Sequence, residues 1–187
     1  MEKLTAKNEL WEIALGQHGY VTAKQAKDLG ITQGAVTMLV QRGTLERAGY
    51  GIYRFSQIPV SQYDQYALAV LWTGIEGTVL SHETALDAYE ICDINPFIIH
   101  LTVGKKYRVR RAGGDIYRVH YEDINDLDIG WWQEIPIVKP AKAIAQCLDY
   151  GTPTYLLVQA IERGYSKGHL RKSEHDVLLT MLEDIRG

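Results

Sequence analysis

Cysteine is scarce in this chain of 187 residues: there are two, Cys92 and Cys147, far apart and outside any CxxC spacing. That excludes a disulfide framework and fits a reducing cytoplasm. No apolar run reaches the length of about 18 residues that a membrane-crossing helix needs. The first residues, MEKLTAKNELWE, are charged and lack the apolar stretch of a secretory leader, so a cytoplasmic chain with no membrane partner is expected. Catalytic signatures are missing as well. There is no P-loop, no GxGxxG after a strand and no GxSxG. The histidines (His18, His82, His100, His120, His169 and His175) contain no HxxxH pair, and none stands near a cysteine at zinc-ligand spacing. On these absences no cofactor and no metal site are expected, and nothing demands enzymatic activity. No internal repeat and no low-complexity linker divides the chain.

What is present is an apolar content of 46%, enough for a real core, in a length that suits one large domain or two small ones. The net charge of −3 argues weakly against a general nucleic-acid binder, but the charge is segregated. Residues 1–60 carry a net +2, residues 61–100 hold six acids and no Lys or Arg, residues 101–120 come to +5, and residues 121–140 to −4. Local basic surfaces on a mildly acidic body follow from that pattern.

Hydrophobic spacing and turn signals predict an α+β chain. A first helix is expected over residues 5–17, with Leu10, Trp11, Ala14 and Leu15 on one stripe and Gly19 ending it. Thr22-Ala23-Lys24-Gln25 reads as a capping box that opens a short helix to Leu29. After Gly30, Thr32 caps a third helix to about Arg42, stopped by Gly43. Residues 45–47 and 52–55 read as two strands around a Gly49-Tyr50-Gly51 tip. Pro59 closes this unit, which predicts a winged helix-turn-helix over residues 1–60 and an α+β domain with a small sheet over 61–187. In the second part, helices are expected at about 61–72 (opened by a Ser61-Gln62-Tyr63-Asp64 cap), 81–89, 140–148 with Pro140 at its first position, and 152–163 ended by Gly164. A last one, capped by Ser173 and Asp176, runs to about 185. Strands are expected at 97–103, 107–111, 116–121 and 135–138, with Gly113-Gly114 as a turn.

The first 60 residues carry the clearest functional pattern. Two helices joined by a short turn need a small residue where they cross, Gly in the turn and apolar residues where the second helix packs back. Ala26, Gly30, Val36 and Leu39 have that spacing, and Val21, Leu29, Ile31 and Val40 complete the apolar set. With Val36, Leu39 and Val40 inward, the outward residues are Gln33, Gly34, Thr37, Met38, Gln41 and Arg42. Gln can bond adenine bidentately, Thr and Met can meet a thymine methyl, and Arg can meet guanine or phosphate. Gly34 and Ala35 keep the helix start slim, and the helix N-terminus with the Thr32 hydroxyl suits a phosphate. On the wing, Arg47, Tyr50 and Arg54 are candidates for backbone or minor-groove contact. The same spacing also suits a purely structural helical hairpin, or a winged helix used for protein contacts. With one basic residue on the helix, a homodimer on the DNA or a second basic segment must supply further phosphate attraction.

Such a segment exists: VGKKYRVRRAGGDIYRVHY holds Lys105, Lys106, Arg108, Arg110, Arg111 and Arg118. Read as a strand, it places Lys106, Arg108 and Arg110 on one face. It fits a second phosphate surface, or basic residues guarding a sheet edge. Glu122, Asp123, Asp126 and Asp128 read as a solvated acidic loop, and Trp131-Trp132 as core or interface. Ser81-His82-Glu83 reads as a helix start rather than a catalytic group.

The stretch GYVTAKQAKDLGITQGAVTMLVQRGTLERAGYGIYRF resembles the N-terminal domain of the AbiEi antitoxin family of type IV toxin–antitoxin systems. VLSHETALDAYEI, IIHLTVGKKYRVRR and IPIVKPAKAIAQCLD resemble segments that follow in many members. The resemblance implies a transcriptional repressor that binds double-stranded DNA at inverted repeats in its own promoter. It also implies opposition to a nucleotidyltransferase-like toxin. By position, Gln33, Thr37, Gln41 and Arg42 would read DNA, and the basic segment at 105–111 would belong to the part that carries antitoxicity. A rival reading is an interaction module whose winged helix and Trp131-Trp132 bind a partner toxin directly. A nuclease-related enzyme using the acids at 122–128 is a third.

Overall fold

The computed structural model describes residues 5–111 and 114–186 and divides the chain into two compact units. The first is the chain to Gly74 with Gln133–Ile135, and the second is Ile75–Trp132 with Pro136–Gly187. The sequence pattern places a boundary near residue 60; the first unit continues past it and includes the helix that follows.

That unit runs α1 (Ala6–Leu15), β1 (Tyr20–Thr22), α2 (Ala23–Asp28), α3 (Gln33–Gln41), β2 (Leu45–Gly49), β3 (Ile52–Phe55) and α4 (Asp64–Trp72). Its antiparallel sheet has the order β1-β3-β2. The expected capping box is present: the Thr22 hydroxyl accepts from Gln25 N at 3.2 Å, and the Gln25 side chain accepts from Thr22 N at 2.9 Å. Three residues of strand β1, too short to show a period, precede it and give β3 its second neighbour. Gly51 at the hairpin tip has φ +67°, a conformation that costs a side-chain-bearing residue energy. The core gathers Leu10, Ala14, Val21, Ala26, Ile31, Val36, Leu45, Tyr53 and Phe55, with Trp11 edge-on to Phe55 at 5.0 Å. Two residues expected on the apolar stripes, Leu15 and Leu29, are exposed instead. Each stands at the last turn of a short helix, where the stripe has turned away from the core.

The second unit holds β4 (Val79–Leu80), α5 (His82–Ala88), β5 (Ile99–Val103), β6 (Tyr117–Tyr121), a 3₁₀ turn (Asp126–Asp128), β7 (Ile129–Trp132), β8 (Ile135–Val138), α6 (Pro140–Tyr150), α7 (Thr154–Ser166) and α8 (Lys172–Arg186). The mixed sheet has the order β6-β5-β4-β8-β7, and Ile135 of β8 falls to the first unit's grouping. β4 runs antiparallel to β5 and parallel to β8, while β5 and β6 are parallel. Every residue of β5 is buried, as in a strand covered on both faces.

Three expectations change here. The strand expected at 107–111 does not form. Parallel pairing of β5 with β6 needs a crossover of about a dozen residues, and residues 104–116 are that crossover. The turn expected at Gly113-Gly114 includes Gly113, which lies outside the described residues. Gly164 does not end α7 but lies buried inside it, where a Cβ would stand 3.1 Å from Leu170 Cδ1. The last helix begins at Lys172, so Ser173 is within it, and the backbone N–H of Arg171 donates to Glu174 Oε2 at 2.7 Å.

Replacing Thr22 with Ala removes the hydroxyl half of the α2 capping box. It should cost about 1 kcal/mol, read as a lowered urea midpoint at unchanged slope.

Candidate nucleic-acid interface

Helix α3 starts where the Thr32 hydroxyl accepts from Ala35 N at 3.2 Å, and it ends with Arg42 at the C-cap and Gly43 at φ +69°. Val36 is 2% exposed and Leu39 and Val40 pack on the core. Burying that side leaves Gln33, Gly34, Thr37, Met38, Gln41 and Arg42 exposed, with no acidic side chain on the helix. At Gly34 a Cβ would meet only the Thr32 hydroxyl, at 3.8 Å. The fold therefore does not demand glycine there, although glycine costs an exposed helix about 1 kcal/mol relative to Ala. What it provides is a thinner outer surface.

The side chains on this surface are not equally available. The Gln33 amide donates to Tyr53 Oη at 3.2 Å, and the Thr37 hydroxyl donates to the Gln33 carbonyl at 2.9 Å, turning its proton inward. Gln41 and Arg42 are exposed at the far end of the helix. Tyr53 on β3, 4% exposed, also lies under the Arg47 guanidinium at 6.0 Å. One buried ring thus fixes the helix start against the wing. Sequence reasoning passed over it because strand alternation assigns it only to core. Tyr50, at the hairpin tip, is 88% exposed.

Arg54 is a correction. Expected on the wing surface, its side chain is 11% exposed and bonded through all three nitrogens. Nε donates to Asp64 Oδ2 at 3.2 Å, Nη1 to the Phe55 carbonyl at 3.2 Å, and Nη2 to the Pro59 carbonyl at 2.9 Å. Asp64 also accepts from the backbone and hydroxyl of Ser61 at 3.0 and 2.6 Å. With every nitrogen bonded inside the protein, to a buried carboxylate and two carbonyls, the guanidinium is held away from phosphate. Its work is to tie β3 to the start of α4.

In the second unit, Lys105, Lys106, Arg108 and Arg110 are exposed and Arg111 is half-buried, on the crossover rather than on one face of a strand. Arg108 donates to the carbonyls of Lys105 and Tyr107 at 2.8 and 2.6 Å and lies 5.1 Å over the Tyr121 ring. Lys106 lies 5.0 Å over the Tyr107 ring. Asp123 accepts from Lys105 N at 2.9 Å, which anchors the start of the segment.

The same unit assembles a group that spacing could not reveal. His82, His100 and His120 come together from α5, β5 and β6, with one ring nitrogen of each within 4.8 Å of the others. Burial, reinforced by His120 and His100, pushes His82 down to about 3; burial likewise lowers His100 and His120 to about 4. All three are neutral at physiological pH. Ser81 is fully buried; its hydroxyl accepts from Thr102 Oγ1 at 2.7 Å and lies 2.9 Å from His82 Nδ1.

A family model described as "Transcriptional regulator, AbiEi antitoxin" matches residues 8–56. Those residues form the three helices and two-stranded wing just described. Over that segment the chain is similar to AbiEi-type transcriptional regulators. The AbiEi-type match stops one residue after β3. No curated protein matches the chain. Among solved structures, the crystal structure of RV2827C protein from Mycobacterium tuberculosis is similar at 13% identity and a TM-score of 0.44, over 96% of this chain and 82% of that one. Among the described residues no helix is long and apolar enough to cross a membrane.

Replacing Arg54 with Ala leaves Asp64 buried without its cation. It should cost roughly 3 kcal/mol in denaturant unfolding while leaving DNA affinity of the folded fraction unchanged. Reduced affinity at unchanged stability would return Arg54 to the wing surface.

Proposed function

We propose that the chain is a DNA-binding antitoxin that represses its own type IV toxin–antitoxin operon, with α3 as the recognition helix, and that it acts as a regulator, not an enzyme. The observation that carries this reading is the exposed, acid-free face of α3, Gln33 through Arg42, in register with a wing that presents Arg47 and Tyr50. Gln41 and Arg42 supply base contacts, and the Thr37 methyl and Met38 meet thymine methyls. Thr32 and the first amides of α3 take a phosphate, as do Arg47 and Tyr50 at the wing. A homodimer would match inverted repeats by its own two-fold symmetry. The part after the winged helix opposes a nucleotidyltransferase-like toxin, and its crossover lysines and arginines add phosphate attraction.

The AbiEi-type match supports the regulator reading, and the lack of acids on α3 supports the assigned face. A second reading keeps direct toxin binding without operator recognition: Trp131 is 73% exposed, a large ring its own chain leaves uncovered. Co-purification with the toxin at high salt, with no operator shift, would favour it.

In gel-shift titrations on the native promoter, Gln41→Ala and Arg42→Ala should each weaken specific binding by about 1–3 kcal/mol. Unchanged affinity in both would remove α3 as the reading element. Replacing Lys105, Lys106 and Arg108 together should flatten log K against log salt by about 0.9 for each phosphate that is no longer neutralised. An unaltered slope would show that the crossover does not touch DNA.

A further inference from the structure

We propose that His82, His100 and His120 form a binding site for one divalent transition-metal ion of the zinc class. The proposal is independent of the DNA reading, since its residues lie in the second unit.

The three side chains reach one place by separate routes. β5 and β6 are parallel, with Thr102 opposite His120, so His100 and His120 project on the same face one step apart. His82 opens α5 with φ +49°, a conformation rare for a residue with a side chain and held here by its surroundings. Its ring covers that of His120 at 3.6 Å between centroids, and the His100 and His120 rings lie 5.2 Å apart.

The chemistry of the donors suits a cation. Three neutral imidazoles offer three lone pairs, and imidazole favours zinc, copper, nickel and iron over the alkaline-earth ions. Nitrogens bound at about 2.0–2.1 Å to a tetrahedral ion stand roughly 3.3 Å apart, within the reach of this group. Filling the site needs the His82 ring to turn out of its stack, so that its lone pair enters the gap between His100 Nδ1 and His120 Nε2. Those two atoms are now 3.0 Å apart and share one proton.

One detail distinguishes a metal site from a packed stack. His100 Nε2 is buried with no hydrogen-bond partner and lies 3.7 Å from Glu83 Oε2. Ligation through Nδ1 requires the proton on Nε2, which then faces the carboxylate. Thr152 holds the other oxygen of Glu83 at 2.9 Å. A carboxylate behind a ligating histidine is the usual outer shell of such sites. Binding therefore moves a ring proton to the opposite nitrogen of its ring and releases none. Access is short: the Tyr150 ring stands edge-on to all three histidines at 5.1–5.7 Å and is itself 42% exposed.

The test is titration of the chelator-treated full chain with ZnCl₂ by calorimetry, and with Co²⁺ by visible absorption. One equivalent should bind, Co²⁺ should give the intense bands of a tetrahedral nitrogen site, and the thermal midpoint should rise with zinc. His120→Gln should abolish the cobalt bands, Glu83→Gln should weaken zinc binding about 10–100-fold, and His175→Gln should change neither. Should the buried substitutions prevent folding, ¹⁵N ring resonances of the unmodified chain must shift for three histidines on adding zinc. A folded chain that binds no zinc, or whose binding survives His120→Gln, overturns the proposal.

Discussion

Everything proposed for the first unit depends on how closely α2 and α3 cross. Ala26 is 3% exposed at that crossing, and its carbonyl accepts from Ile31 N at 2.8 Å as the chain turns through Gly30 at φ +73°. The small Ala26 side chain belongs to the core there, beside Ile31 and Val36. The crossing turns Val36 into the core, and burial of Val36 decides which side of α3 remains outside. Tyr53 then locks the start of α3 to β3, and β3 positions the wing. The face offered to a partner is therefore a consequence of core packing.

Charge is distributed between the units. The first offers a short, uncharged helix face with Arg42 at its end, suited to reading base edges more than to attracting phosphate. The second carries its exposed cations on the β5–β6 crossover, steadied by aromatic rings beneath Lys106 and Arg108. Such exposed cations act at long range and are screened by salt. In the proposed mechanism the two surfaces divide attraction from recognition.

What was legible in the sequence was local. The Thr22 capping box, the Thr32 cap and Pro140 at the start of α6 each depend on residues within one turn of each other. The inward side of α3 was legible because its period is strong. Arg54 was misread because a wing position and a polar head suggest exposure, whereas its partner Asp64 lies across a loop. The basic segment alternates like a strand, but β5 takes its parallel neighbour from beyond it, and that is a decision of topology. The histidine group joins a helix start to two parallel strands, so its spacing in sequence carries no metal signature.

The central claim is that the exposed side of α3 meets DNA. Mapping amide chemical shifts of the ¹⁵N-labelled chain against a duplex of its promoter tests this most directly. The account predicts the largest changes at residues 32–42, with a second group at 47–51 on the wing, and little change at Arg54. Changes confined to the second unit, or spread over the buried side of α3 rather than its exposed one, would contradict it.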